Sequence, residues 1–135
     1  MKIQAAVVHR KGEKFKIEQV ILDEPKAGEV LIKIVASGIC LTDIHVQNQE
    51  YFFPLPAVLG HEGSGIVEKI GEGVSTVQPG DHVVLGYAYC GKCQPCLTGA
   101  PFHCERYDEL NFGGRMADGS SRLHHRGHEL SVFFG

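Results

Sequence analysis

Short runs in which apolar and polar residues partly alternate recur along most of the chain. Two of these runs, residues 3–8 and 15–21, flank a polar stretch and predict an antiparallel hairpin. Further runs at residues 30–36, 66–70 and 82–85 are separated by turn sequences rich in glycine and proline. Strands at this spacing predict a mainly β fold, a small and partly open β-barrel with short helices.

One segment between the third and fourth predicted strands has a different pattern. Residues 42–49 lack the alternation of a strand and predict a short helix, with Thr42 placed to cap its first turn. Pro54 and Pro56 would stop any continuation of this helix. We therefore expect Cys40 at the end of the strand that precedes it.

A glycine-rich bend at residues 59–65 sets His61 beside Glu62. Glycine allows a sharp turn and a close approach to a neighbour or ligand. A histidine beside a carboxylate is either a hydrogen-bonded structural pair or a corner of a metal site. Cys40 is the nearest partner for a metal, although a cysteine at a strand end is by default a small buried hydrophobe. If these side chains converge, they offer zinc an open site with a position left for water or substrate.

A compact cysteine cluster is the strongest chemical signal in the chain. Glycine and polar residues dominate residues 91–99, so bound metal rather than an apolar core would order this lobe. An iron–sulfur cluster and disulfides are the alternatives, but proline typically follows the last cysteine of a ferredoxin run, and here Glu105 does. His103 is a competing ligand. The spacing C-x2-C-x2-C-x7-C predicts a closed structural zinc site formed by Cys90, Cys93, Cys96 and Cys104.

Length and composition narrow the function classes. At 135 residues, with 43% hydrophobic and 21% charged residues, the chain is expected to form one globular domain. The net charge of -3 gives no general attraction for nucleic acid or an anionic membrane. The N-terminus lacks a signal-peptide pattern and no run is long enough for a membrane span, so we expect a cytoplasmic protein. The polar stretch at residues 120–129, with His124, His125 and His128, is expected to be a solvated loop.

Three motifs together resemble the zinc-dependent medium-chain alcohol dehydrogenases. They are Gly-Ile-Cys-Leu-Thr-Asp-Ile-His at residues 38–45, Gly-His-Glu-Gly-Ser-Gly at residues 60–65, and the four-cysteine lobe, in the order and spacing of the family. With Asn-Phe-Gly-Gly-Arg at residues 111–115, the chain is most similar to the aryl-alcohol or benzyl-alcohol dehydrogenases. The resemblance implies a chaperonin-10-like (GroES-like) barrel. It also implies NAD-dependent oxidation of an aromatic or other primary alcohol to the aldehyde.

The resemblance assigns a catalytic zinc to the glycine-rich bend. Cys40 and His61 would be two of its three protein ligands, and Glu62 would be the nearby carboxylate that can approach the metal. Asp43 would accept a hydrogen bond from His61 and fix its tautomer. The four cysteines of the lobe would hold the structural zinc.

The same resemblance assigns the proton relay and the surroundings of the substrate. Thr42 would hydrogen-bond the substrate oxygen, and His45 would lie at the solvent end of the relay. Many family members carry a basic or imidazole side chain at the position of Leu41, where it contacts the cofactor pyrophosphate, and leucine cannot make that contact. Tyr87 and Leu41 are candidates for the substrate pocket. Tyr89 and the aromatic residues at 51–53 could also line an aromatic-preferring pocket, but most of these aromatic residues are expected in the core.

Several parts of a complete enzyme of this family are not encoded in these residues. The third catalytic ligand would lie beyond residue 135, and no Gly-x-Gly-x-x-Gly turn marks a Rossmann domain, so no cofactor-binding residue is assigned. We expect residues 1–135 to be a catalytic domain truncated at its C-terminal end, where apolar residues 132–135 would lead into further strand. The full-length enzyme is expected to be a homo-oligomer that takes a small alcohol or aldehyde. The rival interpretation is a non-enzymatic GroES-like binding or assembly module with one structural zinc.

We predict that the isolated chain does not oxidise benzyl alcohol with NAD. Cys40 and His61 are only two of the three protein ligands that a catalytic zinc needs, so they would bind it weakly. No residue of this chain is assigned to binding NAD, the hydride acceptor. The measurement is NADH formation by the purified, zinc-loaded chain. Turnover above the rate of a protein-free control would contradict this prediction.

Overall fold

The computed structural model describes residues 1–133, and most of the ordered elements in that range are β-strands. The strands are β1 (Lys2–Val8), β2 (Lys16–Leu22), β3 (Val30–Ser37), β4 (Ala57–Val58), β5 (Gly63–Ile70), β6 (His82–Val84), β7 (Leu123–His125), β8 (His128–Glu129) and β9 (Ser131–Val132). The helices are α1 (Leu41–Gln47), α2 (Gln94–Leu97) and α3 (Tyr107–Phe112), with a 3-10 turn at Pro101–His103.

The strands form two sheets. The larger sheet has the order β8-β7-β2-β1-β4-β9, and the smaller one has the order β3-β5-β6. β1 and β2 pair antiparallel as predicted, with Ile3 opposite Val20. β4 and β9 pair in parallel and bring Ala57 beside Ser131. The prediction of a mainly β, partly open barrel with short helices and a cysteine lobe is confirmed.

Two apolar clusters form the core. The first packs β1 and β2 against the β7 hairpin through Val7, Val20, Leu123 and Leu130. The second fixes α1 to the barrel, because Val46 on the inner face of this helix packs with Phe53, Ala57 and Phe133. The second cluster therefore determines where the helix that follows Cys40 lies.

Pairing of β3 with β5 brings distant motifs together. The ladder runs antiparallel from Val30 opposite Ile70 to Ser37 opposite Gly63. One further bond, from the Gly38 amide to the Glu62 carbonyl at 3.1 Å, continues the pairing beyond the strand ends. The residues that follow β3 therefore lie against those that precede β5.

The first turn of α1 differs from the sequence prediction. The helix begins at Leu41 and ends at Gln47, and its N-cap residue is Cys40 rather than Thr42. The Asp43 carboxylate folds back and accepts a hydrogen bond from the Cys40 amide at 3.0 Å. Aspartate is a stronger acceptor than a threonine hydroxyl, and as the third residue of the helix it lies within reach of the cap amide.

The prediction of a solvated loop at residues 120–129 is wrong. β7 and β8 form a hairpin through a two-residue turn in which Arg126 and Gly127 both have positive φ, as a type I′ turn requires. Arg122, at the entry to the hairpin, is buried and donates two hydrogen bonds to Glu29. The polar composition of residues 120–129 therefore did not reveal β7. The charge of Arg122 is compensated by its ion pair with Glu29 rather than by solvent.

The C-terminal apolar segment begins within β9 (Ser131–Val132) and continues into the core. Phe133 is buried, with its ring 5.2 Å from that of Phe53. Residues 134 and 135 lie outside the described residues. Within residues 1–133, no helix has both the length and the apolar character needed to cross a membrane.

We predict that Gly65→Ala destabilises the fold whereas Gly86→Ala does not. A β-carbon at Gly65 would lie 2.2 Å from the Lys33 carbonyl oxygen, whereas a β-carbon at Gly86 meets nothing within 4 Å. Forcing β3 and β5 apart should cost about 1–3 kcal/mol, against less than about 0.5 kcal/mol for the control. Urea unfolding of the zinc-loaded chain measures both. Equal stabilities of the two variants would contradict the role given to Gly65.

Candidate metal centres

Cys40, His61 and Glu62 converge at the end of the β3–β5 pairing. One ligand atom of each lies within 4.8 Å of the others. Cys40 is half-buried, the His61 side chain is 8% exposed, and Glu62 is exposed. A thiolate, an imidazole and a carboxylate that meet at one point fit an open zinc site, in which a position remains for another ligand.

Asp43 connects the start of α1 to the His61 ring. One carboxylate oxygen accepts the Cys40 amide, and the other lies 3.3 Å from His61 Nδ1. Asp43 is 4% exposed, so this carboxylate is largely removed from solvent beside the imidazole. With Nδ1 toward Asp43, Nε2 is the nitrogen that is placed to bind a metal.

Two further residues around this centre were not assigned a role from the sequence. A β-carbon at Gly38 would lie 2.0 Å from Glu62 Oε2, so a side chain there would displace this carboxylate from its position beside the centre. Phe133 packs edge-on against the His61 ring at 5.1 Å. The sequence signal for Gly38 was a glycine at the point where the alternation of β3 ends. No local sequence pattern indicated that Phe133 would pack against His61.

Thr42 and His45 lie on α1 close to Cys40. The Thr42 hydroxyl oxygen is 3.5 Å from Cys40 Sγ. His45, one turn further along, pairs through Nδ1 with Glu50 and packs 5.0 Å from the Tyr51 ring. Thr42 therefore lies beside the candidate metal ligand, and the relay through Thr42 and His45 stays a prediction.

The aromatic residues do not follow the expectation that most of them are core. Phe53 is fully buried, but Phe52, Tyr51 and Tyr89 are exposed. The two residues predicted for the substrate pocket, Tyr87 and Leu41, are also exposed. Tyr87 stacks 5.3 Å from Tyr107, next to the cysteine lobe. The assignment of Tyr87 and Leu41 to a pocket stays a prediction.

The four cysteines of the lobe form a separate cluster. Their sulfur atoms lie within 4.8 Å of one another. The Cys93–Cys96, Cys93–Cys104 and Cys90–Cys96 separations are 3.4, 4.0 and 4.0 Å. A tetrahedron with zinc–sulfur bonds of about 2.3 Å has edges of about 3.8 Å, so these spacings fit a closed zinc site.

Backbone amides surround the sulfur atoms. The Cys93 amide donates to Cys90 Sγ at 3.3 Å, and the amides of Cys90 and Arg106 donate to Cys104 Sγ at 3.3 and 3.4 Å. Hydrogen bonds from the backbone, chiefly at Lys92 and Cys93, lower the pKa of Cys90 to about 6. Burial raises the pKa of Cys96 to about 12. One thiol therefore ionises readily, and the cation itself would favour the other thiolates.

Short helices position the lobe. α2 and the 3-10 turn have no buried residues, so apolar packing contributes little to their order. Asn111 of α3 is buried and makes two hydrogen bonds to Ala88, just before the lobe. Its side chain accepts one from the Ala88 amide and donates one to the Ala88 carbonyl. His103 packs on Phe102 and is not part of the sulfur cluster in the described residues, contrary to its expected competition.

Comparison with known proteins agrees with this architecture. The model of the alcohol dehydrogenase GroES-like domain matches residues 26–127. The chain is 47% identical over 134 residues to geraniol dehydrogenase of Castellaniella defragrans, covering 98% of this chain and 36% of that protein. It is 45% identical over 128 residues to NDMA-dependent alcohol dehydrogenase of Amycolatopsis methanolica, covering 94% and 34%. Benzyl alcohol dehydrogenase from Acinetobacter calcoaceticus superposes with a TM-score of 0.93 at 46% identity, covering 100% and 36%.

The chain belongs to the zinc-dependent medium-chain alcohol dehydrogenase family. Its residues 26–127 match the GroES-like domain of that family. The resemblance inferred from the sequence motifs is confirmed. The chain spans about a third of the length of each of these three relatives.

We predict that Cys93→Ser abolishes zinc binding by the lobe and unfolds residues 90–104 alone. Serine cannot replace the thiolate, and the lobe has little apolar packing to hold it without metal. Metal analysis and amide hydrogen exchange measure the two effects, with Cys40→Ser as the matched control that keeps the lobe ordered. Retention of the metal and of amide protection by Cys93→Ser would contradict the prediction.

Proposed function

We propose that this chain is the zinc-binding, substrate-side domain of an NAD-dependent alcohol dehydrogenase that oxidises an aromatic or other primary alcohol to its aldehyde. Family membership supports the reaction class. The substrate class is supported by relatives named geraniol dehydrogenase and benzyl alcohol dehydrogenase. The observation that carries the proposal is the convergence of Cys40, His61 and Glu62, with Asp43 behind the imidazole.

The donor atoms suggest how the residues share the work. Cys40 and His61 would hold a catalytic zinc, with Glu62 at the edge of the site. When bound, zinc polarises the substrate hydroxyl and lowers its pKa. Asp43, 3.3 Å from Nδ1, would orient the His61 ring and favour the tautomer in which Nε2 is the metal ligand.

Thr42 and His45 would carry the proton to solvent. The Thr42 hydroxyl can accept the proton from the substrate oxygen while it donates its own proton onward. His45, paired with Glu50 near the surface, is the group that would release the proton to water. NAD, bound by the rest of the full-length enzyme, would supply the hydride acceptor for the carbon–hydrogen bond that breaks as the carbonyl forms.

The choice of NAD rests on the family and not on a residue of this chain. Leu41, whose counterpart contacts the cofactor pyrophosphate in many relatives, is exposed at the start of α1. An exposed leucine at this position offers an apolar contact instead of a charge. We therefore assign no cofactor-binding residue here.

The rival function is a GroES-like binding module with one structural zinc. In such a module, Cys40 and His61 would pack as ordinary core residues and Glu62 would have no metal-binding neighbours. Their ligand atoms instead lie within 4.8 Å of one another. Gly38 leaves room for the Glu62 carboxylate, which further favours the enzyme domain.

A cobalt titration tests the proposal. Cobalt at the Cys40 centre should give sulfur-to-cobalt charge-transfer absorption beyond that of a filled lobe, and benzyl alcohol should shift its ligand-field bands. Cys40→Ser should lose both effects while the lobe keeps its metal. Cobalt bound at this centre that does not respond to benzyl alcohol would overturn the proposal, as would a thiolate band that is unchanged in Cys40→Ser.

We predict that Asp43→Asn weakens metal binding at the Cys40 centre by about 10–100-fold, the usual effect of losing an outer partner. If the amide oxygen keeps the Cys40 N–H bond, the amide nitrogen faces His61 Nδ1, which must then be unprotonated. The proton moves to Nε2 and blocks metal binding there.

The matched control for this variant is Asp81→Asn. Asp81 likewise accepts a backbone amide, that of Gln78, at 2.9 Å in a turn. Cobalt titration of both variants gives the comparison, and far-UV circular dichroism checks the fold. Equal affinity in the wild type and Asp43→Asn would show that Asp43 does not orient the imidazole.

A further inference from the structure

A third group of potential metal ligands lies on the larger sheet, away from both cysteine-containing centres in the sequence. His9, Glu18 and His125 each offer one ligand atom, and these atoms lie within 4.8 Å of one another. Sequence reasoning did not connect these residues. Each comes from a different part of the chain, and their separations follow no motif.

The strand register places two of the three side chains on the inward face of the sheet. Glu18 lies opposite Ala5, on the face that Ile3 shares with buried Val20. His125 is two residues beyond buried Leu123 on the same face. Alternation predicts apolar residues at these two positions, and a glutamate and a histidine occupy them instead. His9 directly follows β1 and joins them through its contact with Glu18.

The geometry of the group is close to that of a coordination sphere. His9 Nε2 lies 2.8 Å from Glu18 Oε2, and His125 Nδ1 lies 3.6 Å from the same oxygen. The two imidazole rings are 5.8 Å apart and tilted by 48°. A tetrahedral zinc with bonds of about 2.0–2.1 Å separates its ligand atoms by about 3.3 Å. Shifts of the side chains alone would suffice to admit the ion.

The group is partly shielded from water. The side chains of His9, Glu18 and His125 are 28%, 22% and 14% exposed. The hydrogen bond with His9 holds the pKa of Glu18 below its ordinary value, so Glu18 is an anionic donor at neutral pH.

We propose that His9, Glu18 and His125 form a third metal site, which binds Zn²⁺ or a similar divalent first-row ion between β1, β2 and β7. Two imidazoles and one carboxylate suit such ions, and the ligand set leaves one position for water. The ion links the end of β1 and the start of β2 to the β7–β8 hairpin. The site is independent of the proposed alcohol dehydrogenase chemistry.

The test uses the wild-type chain with its lobe filled with zinc. Cobalt is added, and the expected result is a bound ion whose ligand-field absorption has no sulfur-to-cobalt charge-transfer band. Both other centres contain cysteine, so cobalt there produces that band and is distinguished. If every bound cobalt carries the sulfur band, the proposal is wrong.

Substitutions assign the thiolate-free ion. Glu18→Gln and His125→Gln should weaken its binding by more than the ~10–100-fold that loss of an outer partner costs. The matched control is His124→Gln, because His124 is the adjacent residue but pairs with Asp23 instead. Weakening by His124→Gln equal to that by His125→Gln would assign the ion to adventitious histidine binding and overturn the site.

A second measurement uses the wild-type chain, so it does not require that a variant folds. In nuclear magnetic resonance spectra, the imidazole resonances of His9 and His125 should shift together when zinc is added, while those of His124 stay in place. Zinc should also raise the melting temperature of the wild type and of His124→Gln more than that of His125→Gln. Unmoved resonances of His9 and His125 at saturating zinc would contradict the proposal.

Discussion

The close approach of β3 and β5 is the constraint on which the candidate catalytic centre depends. Cys40 and His61 are far apart in the sequence, and the pairing of Ser37 with Gly63 brings them to one point. Gly65 permits the approach because any side chain there would meet the Lys33 carbonyl. Gly65 thus allows β3 and β5 to pair closely. The candidate metal ligands Cys40, His61 and Glu62 lie just beyond the Ser37–Gly63 end of this pairing.

The molecule orders its parts by two different means. The barrel has apolar clusters around residues such as Val7 and Phe53, and these clusters hold the strands without any metal. The lobe has almost none of this packing and instead has sulfur atoms surrounded by backbone amides. Beside the lobe, the Asn111 side chain hydrogen-bonds both the amide and the carbonyl of Ala88, much as a neighbouring strand would.

The sequence predicted the parts that depend on local pattern. Strand alternation located β1, β2, β3, β5 and β6 to within a few residues, and cysteine spacing located the lobe. It failed where distant partners decide the outcome. Arg122 is buried because Glu29, remote in sequence, pairs with it, and Cys40 rather than Thr42 caps α1 because the Asp43 carboxylate turns back. Sequence patterns did not reveal the group of His9, Glu18 and His125, because only the folded sheet brings these residues together.

Asp43 has a consequence for how this domain can evolve. Its carboxylate accepts the Cys40 amide and lies 3.3 Å from His61 Nδ1, so a shift of the helix would also move the group beside the ring. Val46, fully buried one turn away, sets the depth of that helix in the core. A change of volume at Val46 would therefore move Asp43 relative to the proposed centre. In that proposal, packing in the core and affinity for metal are linked, although Val46 is not a ligand.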